Sequence, residues 1–259
     1  MQAFNYSNPS SVADAAAAAA KGAKLLAGGQ SLLPAMRLGL SAPEALADLG
    51  AVAELRAISV SGGVVKIGAM ATHASVAASK EVAAAIPALA ALAANIGDRQ
   101  VRNRGTIGGS LANNDPAACY PAAVLSLGAT VHTNQRAIAA DDFFKGLYTT
   151  ALKDDEVITA VSFPVPQNAG WQKFKQPASR FSLIGVFVSK GPQGVRVAVT
   201  GGGSGVFRAK ELEAKLAANW SAAALAGATV SAAGLNSDLH GSGEYRAALI
   251  PVLAARAVG

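Results

Sequence analysis

The sequence predicts an α+β fold on three observations: short strand-like apolar runs come first and helices follow, two glycine-rich segments interrupt the first half, and one proline- and glycine-rich break divides the chain. The composition is that of a folded chain. Of 259 residues, 51% are hydrophobic and 15% charged, remote from the polar, charge-rich signature of disorder. A chain of this length buries a sizeable core without disulfide staples.

Each element has a local cause. Ser11 followed by Asp14 forms a capping pattern, and the alanine run to Ala20 carries a helix that Gly22 stops. Ala23 to Ala27 reads as a short strand broken by Gly28 and Gly29, after which Ser31 is placed to cap a turn into Leu32 and Leu33. Ile58 to Val60 and Val64 to Ile67 form a hairpin around Ser61-Gly62-Gly63. Thr72 caps a helix through Ser79, and Pro87 opens another that reaches Asn95. From Gly97 to Asn114 the chain reads as a polar, arginine-bearing loop. A helix over Pro116 to Leu127, a hairpin over Thr130 to Ala139 and a strand over Val157 to Phe163 complete this half.

Pro164, Pro166, Asn168 and Gly170 mark a domain boundary near residue 166. Beyond it, Trp171 to Gln176, Leu183 to Lys190 and Val195 to Thr200 predict a three-stranded antiparallel meander turning at Gly191 to Gly194. Helices over Lys210 to Asn219, Ala222 to Ala233 and Glu244 to Arg256 follow as a helical bundle.

Several functions are excluded or disfavoured by composition. Cys119 is the single cysteine, so this chain alone can hold neither a disulfide nor an iron-sulfur cluster. His73, His132 and His240 are far apart and form no ligand pair, and no metal site is expected. Asp141-Asp142 reads as a helix cap and Asp154-Asp155-Glu156 as a solvated turn. The net charge of +6 is scattered and aromatics make up only 5%, so no nucleic-acid surface is expected. No apolar run reaches the ~20 residues a bilayer requires, and the amino terminus lacks a secretory pattern, so a cytoplasmic chain without a membrane span is expected.

Two segments carry the chemistry: Ala27-Gly28-Gly29-Gln30-Ser31-Leu32-Leu33-Pro34 and Gly105-Thr106-Ile107-Gly108-Gly109-Ser110. Each presents backbone N–H groups where no Cβ blocks a ligand, and each adds a hydroxyl, which suits a pyrophosphate. The run Thr200 to Gly205 lacks dinucleotide-fold spacing and reads as a turn.

Residues 27–34 and 97–121, including Ile96 to Arg104 and Asp115-Pro116-Ala117-Ala118, together with Trp171 to Phe174 and Ala178-Ser179-Arg180, resemble the FAD-binding medium subunits of the molybdenum hydroxylases. That family includes carbon monoxide and xanthine dehydrogenases. The resemblance implies a two-part FAD-binding domain of the vanillyl-alcohol-oxidase-like type over residues 1–165, split near residue 55, and a C-terminal α+β domain over 166–259. It places the FAD pyrophosphate on Ala27, Gly28, Gly29, Gln30, Ser31 and Leu32, and the phosphates and ribityl chain on Thr106, Gly108, Gly109 and Ser110. Ile96 would pack on the adenine or flavin, and Lys173 would lie close to the flavin. Cys119 stands where relatives often carry an acid, so Asp115 is expected to share the ribityl contact. Ser110 replaces a common Asn, and Phe181 a Tyr.

The function implied is that of an FAD-carrying, cytoplasmic oxidoreductase subunit. It binds FAD non-covalently, takes electrons from a small 2Fe-2S subunit beside a large molybdenum-cofactor subunit, and passes them to NAD, a quinone or oxygen. No residue of this chain is expected to act as a catalytic acid or base. A stand-alone FAD-dependent oxidoreductase and a non-catalytic scaffold subunit are the alternatives.

Overall fold

The structure, a computed structural model, describes residues 2–259. The first segment alternates: β1 (Asn5–Ser7), α1 (Val12–Ala20), β2 (Lys24–Leu26), α2 (Leu32–Arg37) and β3 (Ala45–Asp48), with the strands in one small parallel sheet of order β1-β3-β2. This lobe is alternating α/β and corrects the expected separation of strands and helices. Its strands span only three or four residues, too few to show a period. Ser11 caps α1 by accepting the Asp14 N–H. Ser31, in contrast, is itself helical and makes no capping bond, so the cap expected there is absent.

Two 3-10 turns, Leu49–Ala51 and Ala53–Arg56, lead to the hairpin β4 (Ile58–Ser61) and β5 (Val64–Gly68). Its turn holds Gly62 and Gly63 at φ 56 and 72, in the left-handed region that glycine enters without steric cost. Six helices follow: α3 (His73–Ala78), α4 (Lys80–Ala85), α5 (Pro87–Ala94), α6 (Arg99–Arg104), α7 (Ile107–Asn113) and α8 (Tyr120–Ser126). The chain then makes β6 (Thr130–Thr133), β7 (Ala137–Ala139), α9 (Ala140–Phe143), the hairpin β8 (Phe144–Gly146) and β9 (Thr149–Thr150), and β10 (Ile158–Pro164). A five-stranded antiparallel sheet results, of order β4-β5-β10-β6-β7.

Four expectations change here. The stretch from Gly97 to Asn114 is two helices, because Asp98 caps α6 through the Val101 N–H and Thr106 caps α7 through the Gly109 N–H. The helix expected from Pro116 starts at Tyr120, since Asp115 accepts the Ala117 N–H and forms a turn. Glu156 is no solvated residue: its side chain is sealed from solvent and takes two bonds from Arg136, with one each from Thr133 and the Lys153 N–H. These donors hold its carboxyl down at about 2. Asp141 lies inside the first turn of α9 and pairs with Arg196 at 2.6 Å, tying α9 to the next sheet instead of capping a helix.

That sheet comprises β11 (Asn168–Lys175), β12 (Ser182–Gly191), β13 (Gly194–Thr200) and β14 (Phe207–Arg208). It has four strands where three were expected, because the two-residue β14 pairs with Ala198 and Val199. Beyond it lie α10 (Lys210–Ala218), a 3-10 turn at Ala222–Leu225 and α11 (Gly243–Val258). The helix expected over Ala222 to Ala233 is only that turn, which Gly227 at φ 68 helps to end. Two helices on the sheet thus replace the expected bundle.

Every residue of α8 is buried, as befits a helix apolar on all sides. It packs on β12 and β13, and one core runs from the five-stranded sheet through α5 and α8 to Trp171, Phe187 and Ala198. A second core joins β12 and β13 to α10 and α11. The N-terminus of α8, carrying Cys119, is held against the four-stranded sheet.

Candidate cofactor site

The first glycine segment leaves β2 and enters α2. Gly29 sits at φ 72, a conformation that admits few other residues. Among the described residues no acceptor takes the backbone N–H of Gly28, Gly29, Gln30 or Ser31. Gln30 and Ser31 are exposed, while Ala27, Gly28, Gly29 and Leu32 are half-buried. Four successive donors therefore remain available to an anion at this turn.

The second segment is built differently. The Ile107 and Gly108 N–H groups bond to the Ala71 and Ala69 carbonyls, the Gly109 N–H bonds to the Thr106 hydroxyl, and the Ser110 N–H bonds to the Thr106 carbonyl. From Ile107 to Ser110 its amides are already engaged, so the expectation that it offers a run of free N–H groups is corrected. Its glycines serve close approach instead. A Cβ on Gly108 would stand 2.6 Å from the Ala69 Cβ.

The two segments interlock. A Cβ on Gly28 would fall 2.0 Å from the Arg104 carbonyl oxygen and 2.8 Å from the Gly105 Cα, and one on Gly109 would meet the Ala27 Cβ at 3.4 Å. The structure thus brings Ala27, Gly28 and Gly109 together across a sequence separation that no local pattern reveals.

A second group forms at the N-terminus of α8. Lys173 Nζ, on β11, donates to the Asn95 carbonyl at 3.2 Å and lies 3.3 Å from Cys119 Sγ. The Cys119 thiol is also 3.8 Å from the Ser182 hydroxyl. Ile96, half-buried beside Asn95, has its carbonyl fixed by Arg102 at 3.0 Å. Asn95, Cys119 and Lys173 therefore meet at one place, with Ile96 next to Asn95 in the chain, while Asp115 is committed to the Ala117 N–H and the Tyr148 hydroxyl. Ser110 lies half-buried in α7, and Phe181 is half exposed.

Sequence reasoning missed the residues beneath these groups. His73 is 5% exposed, its N–H bonds to the Gly105 carbonyl, and its ring lies 5.4 Å from that of Tyr120, which is fully buried next to Cys119. Burial, with the Arg102 guanidinium adding to it, lowers the His73 pKa to about 4. Burial raises that of Tyr120. The only signal in the sequence was Thr72 as a cap, which places His73 on the first turn of α3 without saying what it touches.

Among the described residues no group of three His, Cys, Asp or Glu side chains could hold a metal ion, and no helix is long and apolar enough to cross a membrane. The glycine run at 201–205 is bound up in packing: the Gly201 N–H bonds to the Pro116 carbonyl and Gly203 pairs with Leu235.

A glycine turn with free amides, locked against a second glycine segment in a mixed α/β fold, suits the anionic part of a cofactor. The family model for the FAD binding domain in molybdopterin dehydrogenase matches residues 2–166, and the chain belongs to that family. It is 36% identical over 274 residues to the nicotine 6-hydroxylase medium subunit of Paenarthrobacter nicotinovorans, covering 100% of this chain and 97% of that one. To the carbon monoxide dehydrogenase medium chain of Hydrogenophaga pseudoflava it is 35% identical, covering 98% and 96%. Among solved structures, reconstituted CO dehydrogenase from Oligotropha carboxidovorans superposes with a TM-score of 0.91 at 33% identity, over 99% of this chain and 96% of that one. Quinoline 2-oxidoreductase from Pseudomonas putida 86 gives 0.88 at 32% identity, covering 99% and 96%. The chain is accordingly an oxidoreductase component of the medium-subunit type, with FAD as its cofactor.

Proposed function

We propose that this chain is the FAD-carrying electron-transfer subunit of a heteromeric molybdenum hydroxylase. It receives electrons from a small 2Fe-2S subunit, beside a large subunit holding the molybdenum cofactor, and delivers them to NAD, a quinone or oxygen. The observation that carries the reading is the contact of Gly28 with Arg104 and Gly105, next to four unclaimed backbone donors. That arrangement suits a pyrophosphate, whose charge oriented N–H groups bind without a neighbouring cation.

In this reading Gly28, Gly29, Gln30 and Ser31 hold the pyrophosphate, with Ala27 and Leu32 shaping the turn. Thr106, Gly108, Gly109 and Ser110 form the opposite wall, which acts by shape and through the Ser110 hydroxyl. Ile96, Cys119 and Lys173 line the flavin end, where Lys173 supplies a cation and Cys119 a small, weakly polar surface. Asp115 supports the wall through its turn. FAD, when bound, supplies the exchange between one-electron and two-electron transfer, and the chain supplies position and solvent control. The single cysteine suits a division of labour in which clusters and molybdenum reside on partners. We also assign residues 1–165 to a vanillyl-alcohol-oxidase-like FAD domain in two parts and 166–259 to a C-terminal domain.

The test is an affinity purification of the chain from its host, with visible spectra and metal analysis. Copurification of FAD, molybdenum and iron with one large and one small partner is the expected result. A chain that emerges alone and yellow would make it a stand-alone flavoenzyme. A colourless chain that cannot be reconstituted with FAD would make it a scaffold.

A further inference from the structure

Three contacts in series run under the interlocked segments. Gly28 abuts Gly105, and the far side of Gly105 faces His73: a Cβ built on Gly105 would lie 2.5 Å from His73 Nε2 and 2.8 Å from its Cδ2. The imidazole in turn rests on the Tyr120 ring at 5.4 Å, and Tyr120 follows Cys119. The peptide at Gly105 is tied to the same residue, since its carbonyl accepts the His73 N–H at 2.9 Å. Gly105 is thus clamped between the first glycine segment and an imidazole edge.

The choice of histidine is costly. His73 is 5% exposed, and its Nδ1 is buried without a partner among the described residues. Sealing a polar nitrogen away unpaired opposes folding, and a purely apolar side chain would avoid that penalty. Among the described residues no acceptor or donor uses the ring, so what it contributes here is its flat edge against Gly105. The approach leaves no room for a Cβ on residue 105.

We propose that His73 is a positioning residue for the cofactor: its ring sets the height of Gly105, and thereby the spacing between the two glycine segments that hold FAD. This rests on the FAD reading above. His73 makes no contact with the cofactor in this account and acts through Gly105.

The experiment measures the FAD dissociation constant of the full chain by flavin fluorescence, together with the melting temperature of the flavin-free form. His73→Ala is expected to weaken FAD at least about tenfold. Val76→Ala, which truncates a fully buried residue one turn further along the same helix and not among the nearest neighbours of a Cβ on Gly105, is expected to lower the melting temperature yet leave FAD binding within about twofold. Gly105→Ala approaches the same contact from the other side and is expected to weaken FAD comparably. Combining it with His73→Ala removes both of its sub-3 Å contacts, and the double variant is expected to bind FAD more tightly than Gly105→Ala alone.

Loss of affinity in Val76→Ala equal to that in His73→Ala would reduce His73 to ordinary core packing and overturn the proposal. So would a double variant as weak as the product of the two single losses. A wild-type chain that binds no FAD under any condition would remove the FAD reading itself and this proposal with it, whereas wild-type binding with indifferent His73 variants removes the proposal alone.

Discussion

Gly28 lies so close to the Arg104 carbonyl that a Cβ on residue 28 would stand 2.0 Å from that oxygen. Backbone faces backbone here, so no rotamer change can relieve the overlap. Gly28→Ala must therefore push the two segments apart, at a cost of about 1–3 kcal/mol typical of overpacking. The variant is expected to purify folded but without flavin, as read from the visible spectrum and the thermal melt. Full flavin occupancy in a folded Gly28→Ala chain would show that the segments do not form the cofactor seat. Gly29→Asp is a less direct probe, since residue 29 is also held at φ 72 and its Cβ would press on Leu33 at 2.8 Å.

Cys119 is 5% exposed and its sulfur is held by Lys173 and Ser182. Reagents reach such a thiol only through local opening. In the native chain an aromatic disulfide reagent is expected to leave Cys119 unmodified for many minutes and to label one thiol per chain at once in denaturant. Lys173→Met, which withdraws the ammonium from the thiol, is expected to change the native labelling rate without altering the denatured one. Immediate labelling of the native wild-type chain would mean that the packing around Ser182 opens readily.

How far the sequence anticipates this arrangement depends on the range of the forces involved. The hairpins β4-β5 and β6-β7, and the long strands β11, β12 and β13, were legible because short apolar runs, and the glycine turns at 61–63 and 191–194, act over a few positions. The three-residue parallel strands and the two-residue β14 were not, since so short a run carries no period. Helices α6 and α7 hid behind arginines and glycines, although their caps Asp98 and Thr106 were in plain view. Alanine propensity over-extended the helix beginning at Ala222, where Gly227 and the packing against α11 prevail. The two glycine segments stood out as motifs. Their mutual contact, the meeting of Lys173 with Cys119 across 54 positions and the support from His73 are tertiary facts that no local signal encodes.

The His73 imidazole links fold stability to pH. Its pKa lies at about 4 in the folded chain against an ordinary 6.5, so the folded state favours the neutral ring and the unfolded state takes up the proton first. The associated stability is complete above pH 6.5, falls as pH drops through the interval down to about 4, and is fully lost below it. The drop across that interval is about 3 kcal/mol. Urea unfolding at pH 7, 5.5 and 4 should show this slope in the wild type and a shallower one in His73→Gln. Glu156 titrates lower, at about 2, so its loss of stability falls mainly below this window. Identical slopes in the two chains would mean that His73 is accessible to protons in the folded state.

Arg246 tests what fastens the C-terminal loops to the sheet. It is 3% exposed, and Nη1 donates to the Leu183 and Gly201 carbonyls at 3.0 Å each, while Nη2 reaches both Asp238 oxygens at 2.9 Å. One planar fork thus joins β12, the end of β13 and the loop before α11. Arg246→Met would leave the buried Leu183 and Gly201 carbonyls without their donor, at a cost of about 1–3 kcal/mol. Arg246→Lys keeps the charge but has no fork to span those acceptors, so it should fall between the two. Asp238 is 42% exposed at its side chain and can turn to water, so Asp238→Asn is expected to cost less than either change at Arg246. Hydrogen exchange over residues 234–241 should quicken in Arg246→Met, because the loop loses its anchor. A stability loss below about 1 kcal/mol with unchanged exchange would assign the loop's order to the Asn236 and Leu235 contacts with Gly202 and Gly203 instead.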